Sequence, residues 1–95
     1  MEPTKPRVTV TYSLECELLR ALWIVGEILS AFQEEIAEAA MLPSRGGRFR
    51  IEVDGQAIWD RKRDGGFPDI KELKQRIRDR VAPGREVGHL DRPAM

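Results

Sequence analysis

Residues 37–43 read AEAAMLP, and the fold turns on whether they end a helix or form a strand. Alanine and glutamate are strong helix formers, so propensity alone would extend the preceding helix to Pro43. The flanking segments argue against that. Upstream, RVTVTY (7–12) sets Val8, Val10 and Tyr12 in alternation with Thr9 and Thr11, a β-branched strand pattern. A helical pattern follows it, and RFRIEVDGQAIWDRK (48–62) then reads as a hairpin. A strand feeding a helix that packs back on a sheet is half of a βαβ unit, which requires a second parallel strand. Glu38–Leu42 is the only segment left to supply it. The expected order is strand, helix, strand, hairpin, helix: an α+β or α/β chain with helices layered on one sheet.

In the long helix, Leu18, Leu22, Val25, Leu29, Phe32 and Ile36 recur at spacings of four, three, four, three and four. This predicts one buried stripe, with Glu17, Arg20, Glu27, Glu34, Glu35 and Glu38 gathered opposite. In the hairpin, Phe49, Ile51 and Val53 alternate with arginine and glutamate, and Asp54-Gly55 signals a two-residue turn. Ala57–Lys62 is the expected return strand, with Ile58 and Trp59 facing opposite sides. Asp69 and Glu72 predict a capping box before a second stripe of Ile70, Leu73, Ile77 and Val81, which Pro83-Gly84 stops. The tail REVGHLDRPAM (85–95) has no periodicity.

Ninety-five residues suit a single domain, here residues 7–92 between a lead-in (1–6) and a C-terminal end (93–95). Sixteen basic residues balance sixteen acidic ones, so no global field recruits nucleic acid or an anionic membrane. No apolar run approaches the roughly 20 residues of a membrane helix, and the N-terminus lacks an apolar secretory region. These features predict a cytoplasmic protein without a membrane or nucleic-acid partner. The oligomeric state is not fixed by the sequence.

Cys16 is the one cysteine, which excludes an internal disulfide and suits a reducing compartment. With Ser13 as helix N-cap, Cys16 becomes the third helical residue, roughly 160° from the centre of the apolar stripe at 100° per residue. First-turn N–H groups and the helix dipole there would favour a thiolate, by about 0.3–1 kcal/mol. Arg20 would add to this, and Glu15 and Glu17 would oppose it. The plainer alternative is a serine that merely caps a helix and an unreactive, half-buried cysteine.

VTYSLECELLRALW (10–23), PSRGGRFRIEVDGQAIWDRK (43–62) and GGFPDIKELKQRIRD (65–79) with APGREVGHLDR (82–92) resemble the bacterial selenoprotein W-like proteins of the SelT/SelW/SelH (Rdx) family. The likeness runs from about Arg7 to Arg92. It implies a thioredoxin-like β-α-β-β-β-α fold in two layers, with Glu38–Leu42 as the second parallel strand. It also implies a redox-active centre at the first strand–helix junction, where relatives carry Cys-x-x-Cys or Cys-x-x-selenocysteine. Here Ser13 stands at the first position of that pair and Cys16 at the second. Serine cannot resolve a mixed disulfide. The resemblance therefore implies either a monothiol oxidoreductase at Cys16, with glutathione or protein thiols and disulfides as partners and no bound cofactor, or an interaction module that has lost its redox activity. In the first case Ser13 would cap the helix and donate a hydrogen bond to the sulfur.

Gly46 and Gly47 correspond to a family loop beside that junction, where a bare backbone could admit a substrate peptide closely, or serve only as a permissive turn. Trp23, on the Cys16 side of the helix, is a candidate for an apolar partner surface or for packing under a loop. Trp59 and Phe67 are expected in or at the edge of the core. Lys71, Lys74, Arg76, Arg78 and Arg80 alternate with acids and are expected on a solvated face. His89 has no companion ligands, so zinc fails on ligand count. Asp60 and Asp64 show no acid–base arrangement, and no glycine motif for phosphate is present.

Overall fold

A computed structural model of the chain describes residues 5–83. Residues 1–4 of the lead-in, Gly84, His89 and the 85–95 tail lie outside the described residues.

Strand β1 (Arg7–Ser13) is internal to a four-stranded sheet of order β2-β1-β3-β4. Its alternation sends Val8 and Val10 wholly into the core, where Tyr12 also packs. The AEAAML stretch forms β2 (Glu38–Ser44), parallel to β1 and in register from Arg7↔Glu38 to Ser13↔Ser44. Ladder bonds and the packing of Ala39 and Met41 outweigh helix propensity there. Pro43 is tolerated because β2 is the sheet edge. The helix before it, α1 (Leu18–Phe32), ends in a turn, with the Glu35 and Ile36 N–H groups both bonded to the Phe32 carbonyl. Ile36 therefore lies outside the helix, although it is buried.

Strands β3 (Arg50–Val53) and β4 (Gln56–Asp60) form the hairpin, and Asp54 (φ 50°) and Gly55 (φ 81°) give its tight turn. A bulge pairs Ile51 with Trp59 but Glu52 with Ala57, leaving Ile58 as the extra residue. That is why Ile58 and Trp59 both join the core, where strict alternation would have exposed one of them. The return strand ends at Asp60, two residues earlier than expected. Its carboxylate accepts from the N–H groups of Lys62 (2.9 Å) and Arg63 (3.4 Å) and starts the one-turn helix α2 (Arg61–Asp64). The Asp60 N–H in turn donates to the Asp64 carboxylate (2.9 Å). The two aspartates thus meet in a capping arrangement. Arg63 and the Asp60 N–H hold the Asp64 carboxyl below the usual carboxylate range.

Helix α3 (Ile70–Val81) starts at Asp69, whose side chain accepts from the Glu72 N–H at 3.3 Å. Leu73 and Ile77 are fully buried, and Ile70 and Val81 border the core. Both long helices contribute to one core on one face of the sheet.

Two expectations fail at the helix contact. The residues of α1 that are buried are Ala21, Ile24, Val25, Glu27, Ile28 and Phe32, whereas Leu18, Leu22 and Leu29 are exposed. At 100° per residue the apolar part of this face is rotated by about 60° from the predicted stripe. This face packs against β1 and β2, with α3 on one flank of α1. Lys74 Nζ meets Glu27 Oε1 at 2.9 Å between the helices, both side chains nearly enclosed. Glu27 and Lys74 therefore do not belong to solvated faces. Arg76 also leaves its expected solvated role: it donates to the Ile58 carbonyl (2.9 Å) and stacks over Trp59 at 4.6 Å.

Candidate functional site

Strand β1 stays paired with β2 as far as Ser13↔Ser44, so the chain must turn before α1 can begin. Residues 14–17 make that turn. The Ser13 carbonyl accepts from the N–H groups of Cys16 (3.3 Å) and Glu17 (2.9 Å), and the Leu14 N–H donates to the Ser44 carbonyl at 2.9 Å. The N-cap of α1 is Glu17, without a side-chain cap bond.

This corrects the roles expected of the pair. Ser13 belongs to the strand, is 1% exposed, and donates its hydroxyl to Glu15 Oε2 at 2.8 Å. It neither caps the helix nor bonds the sulfur. Cys16 precedes the N-cap, so its own N–H is already used in the turn and its sulfur does not sit in the first helical turn. Cys16 is a free thiol and exposed. Its Sγ donates to Glu17 Oε1 (3.4 Å), while Arg20 Nε meets Glu17 Oε2 at 3.2 Å. The carboxylate beside the sulfur is thereby shared with a guanidinium.

The 45–48 loop adjoins this turn. Glu15 Oε1 lies 3.8 Å from an Arg45 guanidinium nitrogen. Gly46 (φ 80°) and Gly47 (φ 69°) both adopt left-handed backbone, which alone accounts for glycine at both positions. A concavity of about 290 Å³ opens here, with Gly46 and Gly47 in its wall. Phe67 binds the region together: its ring meets Phe49 edge-on at 5.1 Å and carries the guanidiniums of Arg20 (3.9 Å) and Arg61 (4.9 Å).

On α1, Trp23 is 55% exposed and Leu19 78%, and Leu14, Leu18 and Leu22 are exposed as well. Trp23 is therefore not packed beneath a loop. These apolar side chains follow Cys16 within seven residues or, for Leu14, precede it by two. Among the described residues, no three His, Cys, Asp or Glu side chains group to hold a metal ion, and no helix is long and apolar enough to cross a membrane.

The basic wall of the concavity was not read from the sequence, although the signal was present. Arg45, Arg48 and Arg50 and the pair Arg61-Lys62 lie in segments separated by the hairpin, and only the antiparallel pairing of β3 with β4 brings them together.

The Rdx family model matches residues 7–79. A crystal structure of a selenoprotein W-related protein from Vibrio cholerae is 43% identical, with a TM-score of 0.78, covering 82% of this chain and 99% of that one. A crystal structure of a Bordetella parapertussis protein is 49% identical, with a TM-score of 0.77, covering 79% of this chain and 96% of that one. A comparison with curated proteins finds no match.

Proposed function

This chain belongs to the Rdx family, with a thioredoxin-like α+β fold, and from that premise we propose that it is a thiol-based redox protein in which Cys16 reacts alone. One observation carries the reading: the chain's single thiol is exposed on the turn between β1 and α1, with a buried serine where a resolving thiol would stand. In this reading the Cys16 thiolate attacks a disulfide, forms a mixed disulfide and expels a thiolate. No second cysteine can displace it, so a thiol from solution attacks the mixed disulfide and restores Cys16. Glutathione is the candidate for that thiol, and the lone cysteine suits a reducing compartment such as the cytoplasm. Ser13 keeps the turn in shape through Glu15 and takes no part in the exchange.

Mixing the protein with oxidised glutathione tests this. The expected product carries one glutathione, released by dithiothreitol and absent in Cys16→Ser. An unmodified protein, under conditions in which an alkylating reagent reaches Cys16, would remove the monothiol reading.

A second reading, a non-catalytic interaction module, rests on the exposed apolar surface of Leu14, Leu18, Leu19, Leu22 and Trp23. Clustered exposed apolar side chains commonly mark protein contacts. The two readings part at the thiol: a partner that binds Cys16→Ser as tightly as the parent protein favours the module.

A further inference from the structure

The concavity beside the Cys16 turn is a concentration of positive charge in a chain with balanced charges. Arg45, Arg48, Arg50, Arg61 and Lys62 line it, against the single carboxylate of Asp60. Arg50 is offset by Asp60 (3.4 Å) and Glu52 (3.5 Å), and Arg45 by Glu15. Arg48, Arg61 and Lys62 have no carboxylate partner among the described residues. Gathering unpaired like charges costs free energy that a bound anion would recover.

The wall is also held in place. The Arg61 guanidinium lies over Phe67 and donates to the Gly47 carbonyl at 3.3 Å. The same ring carries Arg20, which pairs with Glu17, the acceptor of the Cys16 thiol. The concavity adjoins the turn that carries the sulfur through Arg45, a lining residue 3.8 Å from the Glu15 carboxylate.

Planar guanidiniums grip carboxylates in paired hydrogen bonds. The volume, about 290 Å³, fits a small molecule and not a polymer. The aromatic rings at the site cannot act as stacking platforms for bases, because Phe49 is buried and Phe67 already carries two guanidiniums.

We propose that this concavity binds the carboxylates of an anionic low-molecular-weight thiol and presents its sulfur to Cys16. The substrates are then mixed disulfides between proteins and that thiol, an assignment that rests on the monothiol reading above. The Cys16 thiolate attacks the small thiol's sulfur. The S–S bond to the protein breaks, and the protein thiolate leaves and takes a proton from water. A second molecule of the small thiol, as thiolate, attacks the same sulfur of the Cys16 mixed disulfide. This releases the Cys16 thiolate and the small-molecule disulfide. The small thiol is the reductant and the protein mixed disulfide is reduced. Glu15 and Glu17 would repel an anion lying on the turn itself, so the carboxylates are held to the side, on the basic wall.

The test compares oxidised glutathione, which is anionic, with 2-hydroxyethyl disulfide, which is neutral, as reagents for Cys16. The double variant Arg48→Ser/Lys62→Ser alters two exposed side chains with no structural bond in the core. It is expected to slow the glutathione reaction by roughly tenfold, the loss of about one charge-assisted contact, and to leave the neutral reaction unchanged. Glutathione and neutral rates that both ignore the double variant would overturn this proposal alone. Absence of reaction at Cys16 with either disulfide would overturn the monothiol reading together with it. A binding arm uses Cys16→Ser and S-methylglutathione, which cannot exchange, with NMR of the backbone amides of 45–50 and 60–62. Shifts there that inorganic phosphate does not reproduce support a carboxylate thiol. Equal shifts with phosphate would show a general oxyanion site and refute the assignment.

Discussion

Replacing Lys74 with methionine removes the ammonium that lies 2.9 Å from Glu27 Oε1, between two side chains that are 3% and 8% exposed. The methionine fills similar volume, so the change is chiefly electrostatic. The Glu27 carboxyl is then left in a poorly solvated site without its principal cation. Removing one partner of such a pair costs about 3–5 kcal/mol. A domain of this size shifts its Tm by about 4–8 °C per kcal/mol, so the variant should melt at least about 12 °C lower. Urea unfolding at neutral pH is the assay, with the slope checked for constancy so that the midpoint reports stability. The double variant Glu27→Leu/Lys74→Met should recover most of the loss, because a matched apolar pair is often as stable as a buried ion pair. A single-variant cost below about 1 kcal/mol, the ceiling for a solvated pair, would refute the view that this contact is enclosed.

Three further outcomes follow from the same geometry. Ile28→Ala should cost about 2–5 kcal/mol and Leu22→Ser less than about 0.5 kcal/mol, since only the first is buried; reversed costs in denaturant melts would reinstate the stripe predicted from spacing. Gly26→Ala should stabilise by about 0.5–1 kcal/mol, because the position is inside α1 and an added Cβ meets no atom within 4 Å; a lower melting midpoint would contradict that free space. The Asp64 carboxyl is held low by Arg63, so its contribution is present above the ordinary carboxylate range and is lost as the pH falls through its depressed value. Asp64→Asn should therefore flatten the acid limb of the stability–pH curve, and an unchanged limb would show that the α2 cap does not contribute.

Much of the fold was legible because its signals are local. RVTVTY, DG and the Asp69 cap each act through neighbouring backbone groups, and each appears in the structure where the pattern placed it. The AEAAML strand was legible only by topology, since its own composition favours a helix. At the candidate site, the juxtaposition of the 45–48 loop and the Cys16 turn follows from the parallel β1–β2 register, which the strand order already implied. The role of Ser13 did not follow. Serine before an apolar run reads as a cap, but a ladder bond partner at Ser44 keeps it extended and moves the cap to Glu17.

The amino-acid sequence determined, without help from the fold, where backbone direction changes and which segments alternate, because these depend on dihedral preference and side-chain period within a few residues. Only tertiary structure decided which flank of α1 is covered. That helix is apolar on more than one side, so no count of spacings can choose between rows; the choice came from the sheet and α3, which pack against it together. The same holds for the basic concavity. Its cations lie on either side of a hairpin turn, and their shared field exists only once the strands have paired.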